Sequence, residues 1–309
     1  MTPDNFADRL ISRMSDVETP CIVGLDPVVE LLPAFIRREI SPASGRSSEA
    51  MWISAFNEIV IDACSSLVAA VKPQLAFYEQ YGLGGLEAFA NTLRMAKGAG
   101  LICIADAKRG DIGSTAAAYA KAYLGNPKTA SDFEVDAMTV SPFLGFETLE
   151  PFVRACDENG KGLFIIARTS NPGVGDVQQA RTDQGYSVSE GVCRYIAKVG
   201  RDLVGSLGYS SIGAVLGATH PQEASALREV IPQSLILVPG YGTQGGTARG
   251  SVAALERERF GGVVSASRSI TQTPSVIESR SEAELRGAIV DNVLGMITEI
   301  KSALDVDES

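Results

Sequence analysis

Apolar positions along the 309-residue chain fall into two alternating rhythms. One is a short unbroken run of four to six residues, suited to a strand buried on both faces; the other recurs every three or four residues, as on a helix with one buried face. Phe6, Leu10, Ile11 and Met14 predict an amphipathic helix within residues 1–19, and CIVGL, Cys21 to Leu25, the first strand. Trp52, Phe56, Ile59, Ala63 and Leu67 mark a helix before a second strand at Val68 to Val71. A helix over 86–97 stops at Gly98, a third strand runs from Leu101 to Ala105, and Ser114 opens an alanine-rich helix. Strands at 136–140, 162–167, 211–216, 235–239 and 262–265 follow, interleaved with helices over 147–159, 189–207, 221–230 and 283–304.

Alternation of this kind implies parallel βαβ units, and eight of them suit a closed (β/α)8 TIM barrel forming a single domain over 1–309, capped by the N-terminal helix. A doubly wound open sheet is the alternative. Placement favours the barrel, because Asp26, Lys72, Asp106, Lys108, Ser141, Gln244 and Arg268 all fall at or just beyond strand carboxyl ends. In a barrel those ends converge on one mouth. Two connections stand out. Residues 28–50 carry SPASGRSSEA and read as an insertion, while 168–187 are polar, glycine-rich and long enough to serve as an active-site loop. After the seventh strand, GYGTQGG holds four glycines whose backbone can approach an anion, and Arg268 after the eighth can fork onto phosphate oxygens.

A formal charge of −10 argues against nucleic acid or an anionic membrane as partner, so an anionic substrate needs a local cationic pocket. Five widely spaced cysteines without a C-x-x-C pair argue against a disulfide framework or a zinc site and fit a reducing cytoplasm. His220 is the only histidine, which removes histidine-based catalysis and multi-histidine metal sites from consideration. The N-terminal stretch carries acids and lacks a continuous apolar core, so neither a signal peptide nor a membrane anchor is expected there.

The densest chemistry lies in Leu101 to Ala118, LICIADAKRGDIGSTAAA. Side chains alternate along a strand, so Asp106 and Lys108 point to the same side and place a carboxylate and an ammonium in one small volume. Asp111 lies beyond Gly110, where the chain is already turning, and its direction cannot be read from strand geometry. Taken singly, each of these residues reads as a solvated loop charge or a weak surface ion pair.

The whole string D-A-K-R-G-D-I-G-S-T resembles the D-x-K-x-x-D signature of the orotidine 5′-monophosphate decarboxylase family, in its longer bacterial type 2 form. RTSNPG, beginning at Arg168, resembles the same branch, and the likeness runs from about Cys21 to Ile270. It implies decarboxylation of orotidine 5′-monophosphate without metal or organic cofactor, Lys108 being the proton donor to C6 and Asp106 facing the substrate carboxylate. Lys72 and Asp111 would complete an alternating charged row, with Asp111 contributed across a homodimer interface. The resemblance also assigns Asp26 to the ribose, Ser141 to the pyrimidine, Thr115 to substrate binding, and Gln244 with Arg268 to the phosphate; a turn serine is the competing reading of Ser141. Sugar-phosphate decarboxylases of the same suprafamily share D-x-K-x-x-D. A Mg²⁺-dependent sugar-phosphate decarboxylase or aldolase of that suprafamily, or a non-catalytic nucleotide-binding barrel, are therefore the rival functions.

Overall fold

The computed structural model describes residues 4–39, 48–126, 131–242, 245–255 and 261–305. Eight parallel strands close into a barrel in sequence order, β1 Cys21–Leu25, β2 Ala70–Pro73, β3 Ile102–Arg109, β4 Ala137–Val140, β5 Gly162–Arg168, β6 Ser210–Leu216, β7 Ser234–Val238 and β8 Gly262–Ala266. β8 returns to β1 in register, Cys21 opposite Val264 and Val23 opposite Ala266, so the sheet has no free edge. The principal helices are α1 Phe6–Val17, α2 Ser48–Cys64, α3 Gly82–Gly98, α4 Gly113–Leu124, α5 Glu150–Asn159, α6 Val188–Gly200, α7 Pro221–Val230, α8 Ala248–Val252 and α9 Glu282–Asp305.

Strand alternation divides the core in two. Outward residues such as Val23, Val71, Cys103, Met138, Ile165 and Ile236 pack under the helices, and inward ones such as Ile22, Ile104, Ala137, Phe164, Leu237 and Val263 fill the barrel. The inner set also takes in Phe6, Leu10, Ile11 and Met14, so α1 stoppers the amino-terminal end of the barrel. Its N-cap Asn5 accepts from the amides of Ala7 and Asp8, and Arg9 pairs with Asp136 at 2.7 Å beside β4. The five cysteines are free and buried, and burial pushes their thiols upward.

Several boundaries differ from the sequence reading; β3, expected to end at Ala105, runs on to Arg109. β2 begins two residues later than expected and includes Lys72 and Pro73, because Gly24 pairs with Lys72 and Leu25 with Pro73 on β1. The expected 189–207 helix ends at Gly200 and closes with a short 3-10 turn, Arg201–Leu203. Residues 168–187 are not featureless: they contain a helical turn, Val174–Val177, and a bridge between Arg181 and Ser187. Part of the 28–50 insertion, 40–47, lies outside the described residues; before it come a 3-10 turn, Val29–Leu31, and a short helix, Ala34–Glu39.

Candidate active site

Towards their carboxyl ends the inward strand positions change from apolar to polar. β2 offers Lys72, β3 Asp106, β4 Thr139 and β8 Ser265, and these line a cavity of about 260 Å³ at the barrel mouth. Asp26, Lys108 and Arg268 join them, as do Thr169, Ser170 and Asn171 after β5 and Gly240 and Tyr241 after β7.

Asp106 is the centre of the site. Buried at 7% exposure, its Oδ2 accepts from Lys72 Nζ at 2.7 Å and its Oδ1 from Lys108 Nζ at 2.5 Å. Thr139 Oγ1 donates to the same Oδ1 at 3.0 Å and accepts the Lys108 amide at 3.0 Å. Burial alone would raise the Asp106 carboxyl, but the two ammoniums outweigh it and hold the group well below the ordinary carboxylate range. Lys72 shows the mirror case: burial works to lower its ammonium, and the charges of Asp106 and Asp26 reverse the sign and raise it. Both therefore stay ionised at neutral pH.

The meeting of Asp106 and Lys108 is not plain strand alternation. Between Ala105 and Arg109 the ladder with β4 slips, Ala105 facing Met138 and Arg109 facing Val140. Within that bulge Lys108 adopts φ 46°, a left-handed conformation costing a side-chain-bearing residue about 1–3 kcal/mol. The twist turns its side chain to the mouth, where it remains 46% exposed while Lys72 is sealed beneath it.

Two further mouth groups carry unused capacity. Asp26 Oδ1 is buried and accepts no hydrogen bond among the described residues. Arg268 starts the helical turn after β8, is exposed, and has no ion pair among the described residues. Gly24 has a packing role here, since a Cβ on it would lie 1.9 Å from Ser267 Oγ on the rim.

Of the residues singled out from the sequence, Asp26, Lys72, Asp106, Lys108 and Arg268 thus share one cavity. Ser141 lines a neighbouring apolar groove of about 550 Å³ with Phe143, Phe146 and Ile166. Asp111 and Thr115 line neither; Asp111 Oδ1 accepts the Ile112 amide at 2.8 Å, and Thr115 is exposed on α4. Gln244 lies outside the described residues. Thr139, Ser265 and Tyr241 were not singled out. Thr139 was within reach of the alternation argument, two residues beyond inward Ala137, but a lone hydroxyl in an apolar strand gives no chemical signal.

Among the described residues no three His, Cys, Asp or Glu side chains cluster as a metal site, and no helix is long and apolar enough to cross a membrane. A closed parallel barrel with its charged groups gathered at the strand carboxyl ends has the build of a TIM-barrel enzyme. Residues 20–282 match the family model described as orotidine 5′-phosphate decarboxylase / HUMPS family, and the chain belongs to that family. It is 42% identical over 266 residues to orotidine 5′-phosphate decarboxylase of Rhodopirellula baltica, covering 86% of this chain and 87% of that one. The Clostridium perfringens strain 13 enzyme is 38% identical over 265 residues, covering 86% and 88%. Among solved structures, a Streptomyces avermitilis protein assigned as an orotidine 5′-phosphate decarboxylase superposes with TM-score 0.79 at 32% identity over 99% of this chain and 98% of that one. Leishmania donovani OMP decarboxylase gives 0.71 at 26% identity over 99% and 100%.

Proposed function

We infer that the chain converts orotidine 5′-monophosphate to uridine 5′-monophosphate and CO₂. The observation that carries the chemistry is the Asp106 carboxylate, each oxygen of which receives an ammonium, with the more exposed of the two, Lys108, turned to the mouth. Loss of CO₂ breaks the bond from C6 to the carboxyl carbon and leaves the electron pair on C6. No adjacent group delocalises that pair, so a fixed positive charge beside C6 must stabilise it. Lys108 is our candidate for that charge and for the proton that ends on C6, after which its amine regains a proton from solvent. Asp106 beside the substrate carboxylate sets two anions together, a repulsion that departure of CO₂ relieves.

The nucleotide's remote parts supply the grip. We assign the ribose hydroxyls to Asp26, whose Oδ1 has acceptor capacity to spare, and the phosphate to Arg268 with the loop that contains Gln244. Ser141 on the adjoining groove is our candidate for the pyrimidine edge, Thr115 for a further substrate contact, and 168–187 for the active-site loop. Binding energy from these contacts can hold the pyrimidine against Asp106. The buried thiols fit a reducing cytoplasm as the place of work.

We further infer a homodimer with shared sites. Among the described residues Asp111 forms no ion pair, and its own loop exposes Ile112 at 62%. The Ser141 amide donates to Arg109 O at 2.8 Å, which sets beside that loop the one carrying Phe143 and Leu144, exposed at 77% and 51%. A second copy seated here would cover apolar side chains and bring Asp111 to the partner's mouth.

Incubating purified protein with orotidylate in excess EDTA, while following loss of the orotate chromophore, tests the reaction. Full activity under chelation is expected, and Lys108→Ala should lose at least about 10³ in kcat. A metal requirement, or an active Lys108→Ala, would overturn the reading.

A further inference from the structure

The loop after β5 brings Thr169, Ser170 and Asn171 to the mouth, yet nothing in the reaction explains what holds it there. Its first anchor is Arg168, the last residue of β5 and 1% exposed. Arg168 points away from the cavity. Its Nε donates to Glu223 Oε2 at 2.7 Å and its Nη1 to Thr169 O at 3.2 Å. Glu223 sits in the first turn of α7, and its other oxygen, Oε1, accepts from Gln179 Nε2 at 3.0 Å. The hydrogen bond from Arg168 is the main reason that its carboxyl lies below the usual range.

The far end of the loop closes on the same point. Gln178 Oε1 accepts the Thr169 amide at 2.9 Å and its Nε2 donates to Thr169 Oγ1 at 2.8 Å, while Thr169 Oγ1 donates to Asn171 Oδ1 at 2.6 Å. The Ser189 amide, on α6, donates to Gln178 O at 3.0 Å. A chain of hydrogen bonds therefore runs from α7 through Glu223 to both arms of the loop, and from there to the cavity wall.

We propose that Glu223 is a positioning residue: with one oxygen on Arg168 and the other on Gln179 it clamps the 169–187 loop to α7 and so fixes Thr169, Ser170 and Asn171 at the substrate mouth. The clamp rests on the decarboxylase reading only for its effect on turnover; its hold on the loop is independent of any substrate. A loop free to swing costs binding energy each time it is ordered over a ligand, so loss of the clamp acts on KM before kcat.

The test has two arms. In the first, amide hydrogen exchange of the ligand-free protein should quicken selectively over 169–187 in Glu223→Ala, with strands β1 to β4 unchanged, and Glu223→Gln should fall between wild type and Ala, because the amide keeps one acceptor oxygen and sets an NH2 donor where the other oxygen stood. In the second, Glu223→Ala should raise KM for orotidylate about tenfold with kcat within about twofold, and Glu223→Gln should recover part of it. Gln179→Ala, at an exposed position, repeats both arms should Glu223→Ala fail to fold, and the double variant should be no worse than Glu223→Ala alone. Unchanged exchange in the loop, faster exchange everywhere, or a loosened loop with wild-type KM would each overturn the proposal. Wild-type protein unable to turn over orotidylate would count against the reaction alone, leaving the exchange arm to decide the clamp.

Discussion

Lys72 is 4% exposed and Asp106 7%, a burial that ionised groups tolerate only when each compensates the other. Removing the anion leaves Lys72 with the weaker attraction of Asp26. Asp106→Asn should thus cost about 3 kcal/mol in urea unfolding at neutral pH. The pH dependence has a definite sign. A carboxyl held down in the folded state contributes stability that is complete above the unfolded value of about 3.9 and is lost as pH falls towards the folded one. The gap between wild type and Asp106→Asn should then shrink below about pH 4; a gap of constant size would contradict the argument. Their spacing on one strand was enough to anticipate that Asp106 and Lys108 meet, but not the bulge and left-handed backbone at Lys108 that bring them together. Lys72 was harder, since a lysine at a strand end ordinarily keeps its head in water, and only the register against Gly24 draws it inward. Thr139 was silent for want of a charge.

At the level of elements, eight apolar runs separated by helical periodicity were enough to anticipate the barrel, because strands buried on both faces cannot hide a solvent face. Boundaries were less legible where tertiary pairing decides them, as at Lys72–Pro73, and where α6 gives way to a 3-10 turn. The capping role of α1 was legible from its apolar stripe ahead of the first strand, whereas its fit depends on a residue far along the chain. Phe6 meets Phe164 edge-on at 6.0 Å between ring centroids, and a Cβ on Gly162 would stand 2.2 Å from the Phe6 ring. Gly162 is small because Phe6 occupies the space beside it. Phe6→Ala should destabilise by about 3–5 kcal/mol through the cavity it leaves. Gly162→Ala should destabilise by overpacking, and combining it with Phe6→Leu should recover part of the loss in urea unfolding. Strictly additive effects would separate the two residues.

For the molecule as a whole, an acidic chain of net charge −10 repels a nucleotide at long range, while Lys72, Lys108 and Arg268 gather positive charge at the mouth. What one chain does not supply there is the second carboxylate of D-x-K-x-x-D: Asp111 caps its own loop, and no local pattern could say whose mouth it serves. A shared site makes an outcome available that a self-contained one does not. Lys108→Ala and Asp111→Ala, each almost inactive alone, would regain activity on subunit exchange, because a mixed dimer holds one mouth with Lys108 from one protomer and Asp111 from its partner. With random exchange at equal amounts, half the dimers are mixed and each has one intact site, so about a quarter of wild-type activity should return. Recovery should follow the rate of exchange and vanish when exchange is blocked by cross-linking beforehand. Activity no greater than the sum of the two variants would place Asp111 at its own protomer's site or outside the reaction.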